Sequence, residues 1–151
     1  LKNNFMATTK PAVKKEAKID KYIEAVGRRK TAIARVRLYT VKLKDNEKAV
    51  EVNEKPLAKY FSLLKQTRIV TSPFDQLSLK EYRVTVKVLG GGSNAQAEAI
   101  RHGISRVLIA MNPIWRTKLK QLGFLKRDPR MVERKHPGMR KARRPQQWRK
   151  R

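Results

Sequence analysis

Residues 82–113 read YRVTVKVLGGGSNAQAEAIRHGISRVLIAMNP, and this stretch decides the fold class. Tyr82, Val84, Val86 and Val88 alternate with Arg83, Thr85 and Lys87, the period-two pattern of a strand buried on one side. Gly90-Gly91-Gly92 terminates it. Ala99, Ile100, Gly103, Ile104, Val107, Leu108 and Met111 then recur at helical spacing, which predicts an amphipathic helix that stops at Asn112-Pro113. A strand and a helix that each bury one side are the two halves of a sheet-and-helix layer.

Upstream, residues 22–26 and 32–39 flank Gly27-Arg28-Arg29-Lys30-Thr31 and predict two further strands joined by a basic turn. On the second of these strands Ala32, Ala34, Val36 and Leu38 share one face, and Ile33, Arg35, Arg37 and Tyr39 the other. Asp45-Asn46-Glu47 signals a turn before a short third strand over 49–52, which Lys55-Pro56 ends. A helical turn near 56–61 follows, then a helix over about 63–71 closed by Ser72-Pro73. Downstream, Pro113 opens a helix that runs to about Leu122, with Gly123 as its cap; Phe124 and Leu125 then pin the following segment to the core. Strands early and helices late predict an α+β domain, with a largely antiparallel sheet whose apolar face is covered by helices.

The chain has 151 residues, 38 of them Lys or Arg and 12 Asp or Glu, for a formal net charge of +26. One compact domain with tails fits that length. So large an excess repels itself, and the usual reason to carry it is a polyanionic partner, with nucleic acid leading. Residues 1–18 hold five cations against one anion, 19–125 hold 21 against nine, and 126–151 hold 12 against two. The division predicts a flexible N-terminal arm over 1–18, a globular domain over 19–125 and a basic tail over 126–151, too poor in apolar residues to fold alone. Met6 reads as a second start site, so residues 1–5 are left out of the fold.

The absence of cysteine removes disulfides, thiolate catalysis and cysteine-based metal sites, and His102 and His136 alone make a poor metal site. No metal and no cofactor is therefore expected. No apolar run approaches the roughly 20 residues of a membrane span, and no secretory signal is evident, so a soluble intracellular protein without a membrane partner is expected, with a cytoplasmic location favoured and an organellar one left open.

The triple glycine before a helix is the most enzyme-like feature, since helix N-terminal amides bind phosphate. It lacks P-loop and dinucleotide-binding spacing, so a structural turn, with or without an RNA phosphate contact, is favoured over a nucleotide site. His102 has no catalytic partner at a recognisable spacing, and the carboxylates are scattered singly. Arg28, Arg29 and Lys30 form a compact phosphate-binding knob that Arg35 and Arg37 extend along the sheet. The tail, KRDPRMVERKHPGMRKARRPQQWRKR, offers guanidinium groups that bridge phosphates and stack on bases, with Trp148 as a further stacking ring. These features leave open a free nucleic-acid-coating protein and, more remotely, a nucleotide-binding enzyme.

Three motifs, YIEAVGRRKTAIARVRLY, GGGSNAQAEAIRHGISRVLIAMNP and GFLKRDPRMVERKHPGMRKARRPQ, together resemble the small-subunit ribosomal protein S-nine family, bacterial or organellar type. The resemblance covers residues 22–151. It implies a non-enzymatic structural role, a four-stranded sheet with helices on one side like the second domain of ribosomal protein S-five, and an extended tail. It implies a place in the head of the small subunit, on the three-prime domain of its ribosomal RNA and beside neighbouring head proteins. By position, Arg28, Arg29, Lys30, Arg35, Arg37, Gly90, Gly91, Gly92, Arg134, Lys135, Arg140, Lys141, Arg143 and Arg144 would hold ribosomal RNA. Arg149, Lys150 and Arg151 would contact the anticodon stem-loop of the transfer RNA in the peptidyl site. Two departures stand out: residues 146–151 carry one residue more than the usual family ending, and Ala95 stands where many members have glycine.

Overall fold

The computed structural model describes residues 21–40, 48–79 and 81–150. The N-terminal arm at 1–18, the Asp45-Asn46-Glu47 turn and Arg151 lie outside the described residues. The elements are β1 (Tyr22–Arg29), β2 (Ala32–Tyr39), β3 (Lys48–Val52), β4 (Lys55–Pro56), α1 (Leu57–Tyr60), α2 (Leu64–Gln76), β5 (Tyr82–Leu89), α3 (Ser93–Met111) and α4 (Arg116–Gln121), the last entered through a 3-10 turn at Pro113–Trp115.

The sheet order is β1-β2-β5-β3-β4. Adjacent strands are antiparallel except β3, which runs parallel to β5. The α+β class is as expected, but the sheet has five described strands rather than four and is mixed. The extra strand arises because Asn53 and Glu54 both take left-handed backbone, with φ of 47° and 65°, and fold the chain straight back after β3. Pro56 is tolerated there because β4 is an edge strand, where a missing N–H leaves no ladder bond unmade. Asn53 also extends the sheet with its side chain: Nδ2 donates to the Val88 carbonyl at 3.0 Å, and Oδ1 accepts from the Val88 N–H at 2.9 Å.

Two further boundaries differ from expectation. α2 runs through Ser72-Pro73 to Gln76. Proline removes the bond that the Ile69 carbonyl would accept, but Ser72 Oγ donates to that same carbonyl at 2.8 Å, so the helix continues. β1 runs to Arg29 instead of ending at Val26, which leaves a two-residue turn at Lys30-Thr31, with Lys30 at φ 50°.

The alternation read from the sequence is the observed one. Ala32, Ala34, Val36 and Leu38 of β2 and Tyr82, Val84, Val86 and Val88 of β5 are buried, with Val50 and Val52 beside them. α3 covers them with Ile100, Ile104, Val107 and Leu108, and α2 with Val70 and Phe74. Met111, in the last turn of α3, is exposed rather than part of the buried stripe. The Phe74 ring stacks on Tyr82 at 3.7 Å, tilted by 6°. The other face of the sheet is open, with Ile33, Arg35 and Leu89 exposed on it.

β1 and α3 approach to backbone contact. A Cβ placed on Gly27 would lie 1.9 Å from the Ala99 carbonyl oxygen and 2.4 Å from the Gly103 nitrogen; one on Gly103 would meet Val36 at 2.5 Å. Glycine at both positions is what lets the helix sit directly on the strand.

Candidate nucleic-acid interface

The basic turn and the glycine loop, 60 residues apart in sequence, are neighbours in the fold. A Cβ on Gly90 would lie 2.6 Å from the Thr31 carbonyl oxygen, and one on Gly91 would lie 2.9 Å from the Ala32 Cβ. Gly90 and Gly91 have φ of 71° and 67°, so the loop needs glycine for conformation as well as space. Gly92 is the N-cap of α3 and makes no side-chain cap, and the first turn of α3 holds no acidic residue. Gln66, itself buried, donates to Ser93 Oγ and Asn94 Oδ1, each at 2.9 Å; Tyr60 donates to Gln96 at 2.9 Å, and Gln96 donates to the Gly90 carbonyl at 3.1 Å. The side chains of this first turn are thus held from below, while the exposed glycine loop stands above them beside Lys30.

The expected three-cation knob is divided by strand geometry. Because β1 extends to Arg29, successive side chains leave opposite faces. Arg28 is exposed on the open side, whereas Arg29 turns toward α3 and is only 11% exposed. Its Nε meets Glu98 at 2.5 Å, Nη2 meets Asp128 at 3.0 Å, and Nη1 donates to the Arg130 carbonyl at 2.8 Å.

On the open sheet face, Glu24 bridges Arg35 at 3.2 Å and Arg37 at 2.8 Å. The hydrogen bond that Arg37 donates to Glu24 raises the Arg37 pKa. Arg37 also lies 4.9 Å from the Tyr22 ring centre, Arg83 lies 5.3 Å from that of Tyr39, and the two rings are 5.9 Å apart. Lys87 pairs across from Arg35 in the β2–β5 register. Tyr22, Tyr39, Arg83 and Lys87 were absent from the sequence-based set. The period-two pattern that placed Arg35 and Arg37 outward would have found them, because cross-strand register puts them in the same rows.

The root of the tail is fixed by several contacts. The Phe124 N–H donates to the Leu119 carbonyl and the Gly123 N–H to that of Lys120, the paired bonds of a glycine-capped helix end, with Gly123 at φ 73°. Phe124 and Leu125 pack against the core, as expected. The Arg101 guanidinium lies 5.0 Å from the Phe124 ring centre. His102 Nδ1 accepts from the Arg28 N–H at 3.3 Å, and the ring also bonds the Leu125 backbone. Burial, then Arg106, Arg127 and Arg101, lower the His102 pKa, the Leu125 bond opposing them. Its acceptor nitrogen in that bond and the lowered pKa both describe a neutral structural ring. Asp128 is held well below the usual carboxylate range, chiefly by hydrogen bonds from Arg130, with Arg29 adding to it.

Beyond Arg130 the chain forms one small closed loop. Gly138 takes φ of 76°, Met139 bridges Pro145 in antiparallel fashion, and the Arg140 N–H donates to the Arg144 carbonyl at 2.8 Å. This gathers Arg140, Lys141, Arg143 and Arg144 on one exposed loop, where Arg143 also pairs with Glu133 at 2.8 Å. Arg134, Lys135, Arg149 and Lys150 are exposed, as is the Trp148 ring. Among the described residues no cluster of His, Cys, Asp or Glu is arranged to hold a metal ion, and no helix is long and apolar enough to cross a membrane.

A family profile described as ribosomal protein S9/S16 matches residues 27–151. The chain belongs to the ribosomal protein S9 family. It is 44% identical over 128 residues to the small ribosomal subunit protein uS9 of Lawsonia intracellularis (strain PHE/MN1-00), an alignment spanning 84% of this chain and 95% of that protein. It is also 44% identical over 130 residues to uS9 of Amoebophilus asiaticus (strain 5a2), spanning 85% of this chain and 98% of that one. As an S9-family ribosomal protein, the chain is a structural constituent of the small subunit and not an enzyme.

Proposed function

We propose that this S9-family chain binds small-subunit ribosomal RNA in the head through its globular domain, and steadies peptidyl-site transfer RNA through its tail. The observation that carries this reading is the contrast between the two ends of the basic segment. At the root, Arg29 and Arg101 of the domain hold the Asp128 carboxylate and the Phe124 ring; beyond Arg130, most of the segment's cations are exposed. A segment built this way is anchored by protein and completed by RNA. Arg28, Lys30, Arg35, Arg37 and the Gly90–Gly92 loop supply the domain's phosphate contacts, and Arg29 stands behind them. Arg134, Lys135, Arg140, Lys141, Arg143 and Arg144 line the tail's course through ribosomal RNA, beside neighbouring head proteins. Arg149, Lys150 and Arg151 reach the anticodon stem-loop. Contacts of this kind are made to phosphates, so they accept any transfer RNA sequence. A cytoplasmic ribosome is the setting proposed.

The test is deletion of residues 147–151. Subunits should incorporate the shortened protein normally, while transfer RNA leaves the peptidyl site about tenfold faster, as expected for losing three exposed ionic contacts worth about 0.5 kcal/mol each. Failure to incorporate would overturn the division between anchor and probe. Unchanged dissociation would remove the transfer RNA contact.

A further inference from the structure

Arg29 is the cation whose environment least resembles that of an RNA-binding residue. It sits at the end of β1, where strand alternation turns it under the sheet edge toward α3. Its planar fork reaches three parts of the chain at once: Glu98 on α3, the Asp128 carboxylate, and the Arg130 carbonyl. The Asp128 carbonyl lies at 3.5 Å from the same Nη1. Carboxylates are scarce in this chain, 12 against 38 cations, yet two of them converge on this one guanidinium. Asp128 is moreover one of only two acidic residues in the whole 126–151 segment. A lysine in this position would offer one compact charge, whereas guanidinium geometry serves several acceptors in fixed directions.

The neighbouring contacts act on the same stretch. Arg101 holds the Phe124 ring, and His102 ties the Arg28 N–H to the Leu125 backbone. Arg130, in turn, grips Asp128 through Nε at 3.1 Å and Nη2 at 2.8 Å. The path of the chain from Phe124 to Arg130 is therefore held by the domain, independently of any nucleic acid.

We propose that Arg29 is a positioning residue that locks residues 128–130 to β1 and α3, and so sets the direction in which the basic tail leaves the domain before RNA is bound. Arg29 then contributes to function through the tail rather than through a phosphate of its own. The consequence for transfer RNA rests on the peptidyl-site reading above; the lock itself does not.

The absence of cysteine makes a clean distance measurement available. Cysteines introduced at Ala110, exposed on α3, and at Val132, exposed beyond the lock, carry a spin-label pair in the full-length protein. The distance distribution measured by pulsed dipolar spectroscopy should be narrow without RNA. Arg29→Met, which keeps the buried stem and removes the donors, should broaden it, and Asp128→Ala should do the same. The Asp128→Ala unfolding midpoint should stay within about 3 °C of the parent, because Glu98 still pairs with Arg29 and leaves no buried charge unmatched. Arg29→Lys should give an intermediate width. A broad distribution in the parent, or an unchanged one in both Arg29→Met and Asp128→Ala, overturns the lock; if Arg29→Met does not fold, Asp128→Ala decides alone.

In assembled subunits, Asp128→Ala should incorporate normally and release peptidyl-site transfer RNA about threefold faster, the loss expected when a preorganised segment must be ordered on binding. Faster release after deletion of 147–151 but not after Asp128→Ala would overturn the positioning role. No effect of either change would overturn the transfer RNA reading, while the distance measurement would still decide the lock.

Discussion

Replacing Gly27 with alanine tests the packing on which the whole site depends. The added Cβ would lie 1.9 Å from the Ala99 carbonyl oxygen, whereas ordinary contact begins at 3.4 Å, a shortfall of 1.5 Å. The obstructing atoms are backbone atoms of α3, so no side chain can swing away; β1 and α3 must separate where the helix lies directly on the strand. Overpacking that neighbours can partly absorb costs about 1–3 kcal/mol, and we expect at least the upper figure, about 3 kcal/mol. For a folded region of roughly 100 residues that lowers the unfolding midpoint by about 12 °C or more. Gly92→Ala is the matched comparison: its φ is not left-handed and nothing lies within 4 Å of the added carbon, so it should lose only the N-cap preference for glycine over alanine, about 1 kcal/mol or less. The assay is urea unfolding of the isolated protein followed by circular dichroism. A Gly27→Ala protein within 1 kcal/mol of the parent, or no less stable than Gly92→Ala, would refute the reasoning. Because Gly27 lies two residues before Arg29, and Ala99 one residue after Glu98, the same displacement should also broaden the tail-root distance distribution.

Asn53→Ala removes both hydrogen bonds to Val88 and leaves alanine in left-handed backbone; it should cost about 2 kcal/mol, measured by the same urea titration. His102 should make stability depend on pH with a defined sign. Above the ordinary histidine value of 6.5, the ring is neutral in both folded and unfolded chains, and below it the unfolded ring takes up a proton that the folded ring resists. Stability therefore falls as pH falls through 6.5. His102→Asn keeps an acceptor for the Arg28 N–H but does not titrate, so its midpoint should decline less steeply than the parent's between about pH 7.5 and 5.5. Equal slopes would exclude His102 as the source.

The sheet faces were legible in the sequence because burial on one side leaves a period of two, and α3 because its apolar stripe is long. What was not legible depended on contacts between distant residues. Nothing local announces that Ser72 repairs the bond Pro73 breaks, or that Asn53 will pair with Val88. The end of β1 shows how such a detail propagates. Gly27 interrupts the apolar alternation and reads as the start of a loop, yet glycine is there because α3 lies against it. Moving the strand end from Val26 to Arg29 then separates Arg28 from Arg29 by face, and one member of the apparent knob becomes part of the protein's own interior framework. The charge count marked which segments are most basic; it could not say which individual cation already has a carboxylate.

The loop closed between Met139 and Pro145 also bears on reach. Six extended steps would span about 20 Å, but bridged strand partners stand about 5 Å apart, so closure takes up roughly 15 Å of contour. The tail thus carries a length reserve of several residues just ahead of its terminal cations. Opening the Arg140–Arg144 hydrogen bond would release it. One additional residue near the end, about 3.3 Å of chain, is small beside that slack. In a crowded RNA passage, loop closure rather than residue count would then set how far the end of the chain extends.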